Sequence, residues 1–201
     1  MFTGLIEDVG RVKATGSVLV VETRLAGDVH PGESLAVNGM CLSVEKASGN
    51  DAFFRVSPES VDRAAPFLRG AHVNLERPMK LEGRLHGHLV TGHVDCTGVV
   101  RAVRKQGAFS TVQVSCPACW HSLLVEKGSV AVSGISLTVA DLLPGVGFSV
   151  AVIPETLSRT HACRWKPGEA VNLEFDIIGK YIQRSIGLAN RPGLREKLEQ
   201  R

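Results

Sequence analysis

The chain has 201 residues, of which 44% are hydrophobic and 21% charged, and its formal net charge is +3. This composition is typical of a soluble globular protein that can bury a core. The positive charges form no block and are not interleaved with aromatic residues, so nucleic-acid binding has little support. No apolar run approaches the roughly 18–20 residues of a membrane span, and the N-terminus lacks a signal-peptide pattern. Five cysteines, an odd number, favour reduced thiols in a cytoplasm over a disulfide framework.

Short apolar runs, often alternating with polar residues, recur along the chain and are separated by Gly, Pro, Asn and Asp. This pattern predicts an all-β protein of short strands. Even spacing of about 8–12 residues favours closed antiparallel barrels. Brief helical turns are predicted over 58–68 and 154–162, where Pro is tolerated at the first position. The strand-like runs lie at 18–25, 34–47, 52–58, 71–77, 110–116, 129–139, 148–156 and 170–177.

The C-terminal region has a different pattern. Ile178, Tyr181, Ile182 and Ile186 recur at helical spacing, which predicts a helix with one apolar stripe. A helix that follows two closed barrels has no obvious core within its own chain. The stripe therefore predicts packing against a neighbouring subunit.

The two halves of the chain repeat each other. Residues 34–44 read SLAVNGMCLSV and residues 129–139 read SVAVSGISLTV, without a gap. Three further pairs keep the same order: 3–12 with 91–100, 56–63 with 152–159, and 72–77 with 170–175. A repeat of this length exceeds the roughly 20–50 residues of a solenoid unit. It predicts two tandem domains of similar fold.

The repeats differ at positions suited to chemistry. Cys41 in the first copy aligns with Ser136 in the second, and Leu5 aligns with His93. A thiol with a lowered pKa can add to an electron-poor ring. An imidazole that titrates near neutrality can accept and return protons. The alternatives are a small buried thiol in a strand and a structural histidine.

Taken together, the motifs MFTGLIEDVGRV, NGMCLSV, GHLVTGHVD, GISLTV, IPETL and VNLEFD resemble the alpha-chain type of riboflavin synthase, a family of lumazine-binding domains. The resemblance covers residues 1–186. It implies two tandem six-stranded antiparallel Greek-key β-barrels with pseudo-twofold similarity, followed by a C-terminal α-helix. The implied domains are 1–87 and 88–186, with a tail over 177–201 for oligomerisation.

The resemblance also implies an activity and partners. One 6,7-dimethyl-8-ribityllumazine would donate a four-carbon unit to a second, giving riboflavin and 5-amino-6-(D-ribitylamino)uracil. Active sites would lie between barrels of two subunits in a cytoplasmic homotrimer. Association of this homotrimer with lumazine synthase is also expected. No cofactor and no metal are implied. Two similar barrels would hold two copies of one substrate face to face, which itself lowers a barrier.

The resemblance implies catalytic roles for five residues: Cys41, His93, Ser136, Thr138 and Asp176. Ser136 and Thr138 share one face of a strand, so their hydroxyls could bind the pyrimidine edge or relay protons. Asp176 is assigned to positioning the acceptor. The nucleophile stays open between a thiol, a hydroxyl and water, and so does the choice of donor and acceptor barrel.

Substrate contacts are implied largely through the main chain. The first half would supply Gly4, Leu5, Ile6, Ser34, Cys41, Leu42, Ser43, Arg55, Val56, Ser57, Pro58, Glu59 and Ser60. The second half would supply Gly92, His93, Val94, Lys127, Ser136, Leu137, Thr138, Val152, Ile153, Pro154, Glu155, Thr156 and Leu157.

Three other interpretations compete with this one. His86, His88 and His93 form a short cluster, but a metal site needs a further ligand and the reaction needs no metal. Cys116 and Cys119 have CxxC spacing without a second pair, which favours structural thiols. The rival function is a protein that binds lumazine or flavin without turnover, like the lumazine protein of luminous bacteria.

Overall fold

The computed structural model describes residues 1–57 and 62–189, and these form two closed antiparallel barrels. The first barrel contains β1 (Asp8–Ala14), β2 (Val18–Glu22), β3 (Ser34–Val37), β4 (Met40–Ser48), β5 (Asp51–Arg55) and β6 (His72–Glu76). The second contains β7 (Cys96–Gln106), β8 (Phe109–Ser115), β9 (Ser129–Val132), β10 (Ile135–Leu143), β11 (Gly147–Val152) and β12 (Ala170–Phe175).

Both barrels have the same topology. The strand order is β1-β2-β5-β4-β3-β6 in the first, and β7-β8-β11-β10-β9-β12 in the second, with the ring closed by β1–β6 and β7–β12 pairs. Bulges recur at matching places, between Val44 and Lys46 in β4 and between Val139 and Asp141 in β10. The predicted all-β fold with two similar Greek-key barrels is confirmed.

Helical structure is short in the described chain. Turns of 3₁₀ helix span Arg24–Asp28, Ala118–Leu123 and His161–Arg164, and helix α1 spans Pro154–Arg159, as its Pro at the first turn predicts. The other predicted turn, 58–68, falls partly outside the described residues. Within its described part, Asp62 and Arg63 are helical and the chain is not helical from Ala64 to Leu68. Helix α2 spans Ile177–Ala189, which confirms the predicted terminal helix, and the rest of the predicted tail, 190–201, lies outside the described residues.

The runs predicted at 34–47 and 129–139 are each a hairpin rather than a single strand. Asn38 and Gly39 turn the first, with φ of 48° and 78°, and Ser133 and Gly134 turn the second, with φ of 46° and 81°. Two consecutive left-handed residues match the twist of the flanking strands, so the chain reverses in two residues. The apolar alternation passes through the turn, which is why sequence periodicity alone does not reveal it.

The hairpin tips meet between the barrels. A Cβ on Gly39 would lie 2.7 Å from the Gly134 nitrogen, and one on Gly134 would lie 2.7 Å from the Gly39 nitrogen. Asn74 donates to the Ser133 carbonyl at 2.9 Å, and its repeat partner Asn172 donates to the Asn38 carbonyl at 2.8 Å. Reciprocal contacts of this kind make the pseudo-twofold relation a packed interface within one chain.

Candidate functional site

Side chains alternate between the core and the outer surface along β4 and β10. Leu42 and Leu137 point into their barrels and are buried, while Cys41 and Ser136 on the neighbouring positions are half-buried. Ser43 and Thr138 lie two residues further on and are exposed on the same outer face. A ligand on this face can therefore reach the hydroxyls and the thiol directly, but can reach the predicted Leu42 and Leu137 only through their main chain.

The segment that leads into each barrel crosses to the other barrel. The Ser136 N–H donates to the Gly4 carbonyl at 2.8 Å, and the Cys41 N–H donates to the Gly92 carbonyl at 2.8 Å. Ile6 packs against the second core and Val94 against the first. The prediction that Gly4–Ile6 share a surface with Cys41, and Gly92–Val94 with Ser136, is therefore wrong.

A buried glutamate holds each leading segment in place. Glu76 of β6 accepts hydrogen bonds from the Thr3 N–H, the Thr3 hydroxyl and the Gly4 N–H. Glu174 of β12 accepts the same three bonds from Thr91 and Gly92. Burial raises the pKa of Glu76, and the bonds from Thr3 and Gly4 oppose that rise. Each carboxyl therefore fixes a segment of its own half against a strand of the other half.

Glycine is required where these segments touch the strands. Gly92 has φ of 81°, and a Cβ there would lie 2.5 Å from the Cys41 Cβ. Gly4 has φ of 76°, and a Cβ there would lie 2.6 Å from the Ser136 Cβ. Both the left-handed backbone and the close approach exclude a larger residue.

We name the two resulting surfaces the first and second seats. The first seat comprises Ser34, Cys41 and Ser43 with Gly92–Val94, and Ser34 lies opposite Ser43 in the β3–β4 pair. The second seat comprises Ser136 and Thr138 with Gly4–Ile6. The exposed His93 thus lies beside Cys41, and the exposed Leu5 lies beside Ser136.

The other predicted residues occupy varied positions. Arg55 is exposed and pairs with Glu45 at 2.6 Å, while Val56 is half-buried and Ser57 is exposed. Pro58, Glu59 and Ser60 lie outside the described residues. The predicted stretch Val152, Ile153, Pro154, Glu155, Thr156 and Leu157 forms the end of β11 and the start of α1, with Val152 fully buried and Ile153 exposed.

Lys127 and Asp176 are positioned by the turns that carry them. Lys127 has φ of 63°, and its ammonium group donates to the Ala140 carbonyl at 3.2 Å. Its counterpart in the repeat is Gly32, so a lysine stands where glycine is the unstrained choice. Asp176 accepts the Ile178 N–H at 3.0 Å and thereby begins α2.

Sequence reasoning did not identify Glu76, Glu174 or His88 as part of the site. The two glutamates carry a usable signal, because both halves repeat VNLE, and a buried strand has little reason to keep a carboxylate twice. From the sequence, His88 is a candidate only for a metal ligand. The structure instead places its Nδ1 at 2.7 Å from the Ser136 Oγ.

Comparison with known proteins identifies the family to which the duplicated barrel belongs. The family model described as the lumazine binding domain matches residues 3–78 and again residues 91–176. The chain belongs to the lumazine binding domain family. Both matches cover one complete barrel, so the family unit is the repeat seen in the sequence.

Curated relatives match most of the length of this chain. The chain is 38% identical over 191 residues to the riboflavin synthase of Actinobacillus pleuropneumoniae, covering 91% of this chain and 88% of the relative. It is 36% identical over 198 residues to the riboflavin synthase of Bacillus subtilis (strain 168), covering 94% and 92%.

Among solved structures, the chain is similar to LumP complexed with riboflavin, with a TM-score of 0.80 and 19% sequence identity. The similarity covers 87% of this chain and 99% of LumP. At this identity the likeness establishes the barrel arrangement alone. No helix of the described residues is both long and apolar enough to cross a bilayer.

Proposed function

We propose that this chain is an enzyme, a transferase that catalyses the riboflavin synthase reaction. Two molecules of 6,7-dimethyl-8-ribityllumazine react, and a four-carbon unit moves from one to the other, giving riboflavin and 5-amino-6-(D-ribitylamino)uracil. The observation that carries the proposal is the pair of pseudo-equivalent seats within a chain related over most of its length to riboflavin synthases. The atoms of two lumazines equal those of the two products, so the reaction needs no cofactor.

Two unlike seats suit a reaction between two like molecules. Each seat presents main-chain N–H and C=O groups of a leading segment, together with hydroxyl or thiol groups on the outer face of a strand. Such groups can form hydrogen bonds with the amide-like edge of a pyrimidinedione. Opposite roles for the two copies require that the seats differ, and they differ at Cys41 against Ser136 and at Leu5 against His93. Binding both copies in attack geometry lowers the barrier by itself.

The proposed catalytic roles follow from exposure and chemistry. His93 is exposed in the leading segment of the second half, where its imidazole can remove a proton from the 7-methyl group of a bound lumazine. Cys41, Ser136 and Thr138 face the ligand side and offer the thiol or hydroxyl that adds to the ring, directly or through water. Asp176 and Lys127 are proposed to position the acceptor and contact the ribityl chain or a ring carbonyl.

A homotrimer is proposed on the surface of α2. One side of this helix is tied to its own barrel by the Lys180–Asp95 ion pair at 2.6 Å and the Gln183–Ser122 hydrogen bond at 2.9 Å. The other side exposes Ile178, Tyr181, Ile182 and Ile186. The family resemblance implies that in such a trimer the active sites lie between the first barrel of one chain and the second barrel of another. Sedimentation of a chain shortened after residue 176 should then give monomers.

Two further proposals concern the surroundings of the enzyme. The five cysteines are unpaired in the structure, which supports a reducing compartment such as the cytoplasm. Association with lumazine synthase stays a prediction from the family, and co-sedimentation of the two proteins would test it.

The deciding experiment uses the purified protein and its substrate alone. Incubation with 6,7-dimethyl-8-ribityllumazine, without cofactor, should produce riboflavin and the aminouracil in equal amounts. The rival function, binding without turnover, predicts a change in lumazine fluorescence on binding and no riboflavin. That outcome would reject the enzyme.

A further inference from the structure

Ser136 is the one predicted catalytic residue of the described chain whose side chain contacts a buried imidazole. His88 Nδ1 lies 2.7 Å from the Ser136 Oγ, and His88 is only 7% exposed. Among the described residues, the Cys41 thiol at the matching position in the first seat has no side-chain hydrogen bond. The contact is therefore a difference between the seats that alignment of the repeats does not show.

The backbone around His88 enforces this contact. The His88 N–H donates to the Thr3 carbonyl at 3.2 Å, next to the residues that Glu76 holds. A Cβ on the preceding Gly87 would lie 1.9 Å from the Thr3 oxygen and 3.0 Å from the Ser136 Oγ. Only glycine lets the chain pass this close to Ser136. The main chain at Gly87 and His88 therefore holds the His88 imidazole against the Ser136 hydroxyl.

The unpaired nitrogen of the ring indicates where its proton lies. His88 Nε2 is buried and has no hydrogen-bond partner among the described residues. Buried N–H groups without an acceptor are rarer than acceptors left unfilled, so the neutral ring carries its proton on Nδ1. Burial lowers the pKa of His88, although the charge of Asp176 opposes this, and the neutral ring is favoured. Nδ1–H then donates to the Ser136 Oγ.

We infer that His88 is a positioning residue that orients the Ser136 hydroxyl as a hydrogen-bond donor to an acceptor atom of the lumazine ring in the second seat. This inference rests on the proposed function. Because the Oγ accepts the bond from Nδ1–H, its own hydrogen is free to point out of the protein toward the ligand. A buried imidazole thus fixes the direction of the O–H bond of the half-buried Ser136 without touching the substrate.

A matched pair of variants tests the inference. The Asn amide nitrogen in His88→Asn occupies the place of Nδ1 and retains the donor, whereas His88→Gln carries its amide at the place of Nε2. We expect kcat to fall by about tenfold in His88→Gln and in His88→Ala, the equivalent of one hydrogen bond. We expect His88→Asn to stay within about threefold of the unaltered protein. Urea unfolding of every variant separates this effect from loss of the fold.

The decisive comparison repeats these substitutions with Ser136→Ala. If His88 acts through the hydroxyl, the double variants should equal Ser136→Ala alone. Additive losses, or a His88→Asn protein as slow as His88→Ala, would overturn the inference. If the unaltered protein binds lumazine but makes no riboflavin, the proposed function fails by itself. The same cycle measured on lumazine affinity then decides the role of His88.

Discussion

The two seats have the same backbone arrangement but present different side chains. In each, a glutamate of the closing strand holds a Thr-Gly segment, and the glycine carbonyl accepts a backbone bond from the other barrel. The first seat then presents the Cys41 thiol beside the exposed His93. The second presents the Ser136 hydroxyl beside the apolar Leu5, with His88 buried behind it. The two halves thus share one scaffold and differ in the side chains that a few contact positions present.

The largest effect should come from the imidazole that only the first seat exposes. His93→Ala should lower kcat by about 100-fold or more, the usual contribution of a positioned acid or base, with little change in lumazine affinity. Leu5→Ala, at the matching position, is the control and should alter affinity more than kcat. Steady-state rates and fluorescence titration measure both quantities. Equal losses of turnover and affinity in His93→Ala would mean that His93 only binds the ligand.

Substitutions where a leading segment packs against the other barrel should destabilise the scaffold that the two seats share. Gly92→Ala places a methyl group against Cys41 in a left-handed backbone, so we expect a loss of roughly 2–4 kcal/mol in the free energy of unfolding. Gly49→Ala is the matched control, because Gly49 has φ of 59° and open space around its Cβ position. It should cost about 1 kcal/mol from backbone strain alone. Similar urea midpoints for the two variants would remove the argument for close approach.

The halves also differ where the barrels meet. His161 and Ala65 are repeat counterparts, and their N–H groups donate to Asn74 and Asn172 at 2.8 and 2.7 Å. Burial, with the nearby His72 and Arg164, lowers the pKa of His161 from 6.5 to about 4. Trp165 also donates to its Nε2 at 3.0 Å, which requires an unprotonated nitrogen.

Stability should therefore depend on pH through the second half. Between pH 6.5 and about 4 the unfolded chain binds a proton at His161 and the folded chain does not. The free energy of unfolding should fall across this window as pH falls, by roughly 3 kcal/mol from this group. His161→Ala, which copies Ala65, should flatten that slope in urea titrations at several pH values. An unchanged slope would assign the dependence to other groups.

The smallest difference lies in the hairpin tips. The Asn38 side chain accepts the Asn74 N–H at 2.8 Å, whereas the side chain of its counterpart Ser133 makes no such bond within the described part of the chain. Asn38→Ser should cost about 1 kcal/mol. Ser133→Asn should stabilise by a few tenths of a kcal/mol, because Asn adopts left-handed φ more readily and gains an acceptor. If both exchanges leave the denaturation midpoint unchanged, this asymmetry has no energetic consequence.

The sequence by itself determined the repeat, the strands, the terminal helix and the residues at which the halves differ. These follow from local properties: alternation of apolar side chains, turn residues, and direct alignment of one half on the other. The sequence also indicates Cys41, Ser136 and His93 as candidate site residues, because a difference within a repeated motif can be seen by aligning the two halves.

Only the tertiary structure decided which of these residues share a seat. Leu5 and His93 precede their barrels in the chain, so sequence order assigned each to its own half, yet both segments cross over. The crossing depends on contacts between residues far apart in sequence, such as Thr3 with Glu76 and Gly92 with Cys41. The pairing of His88 with Ser136 is of the same kind. Periodicity reports which face a residue occupies, but two packed barrels determine what that face meets.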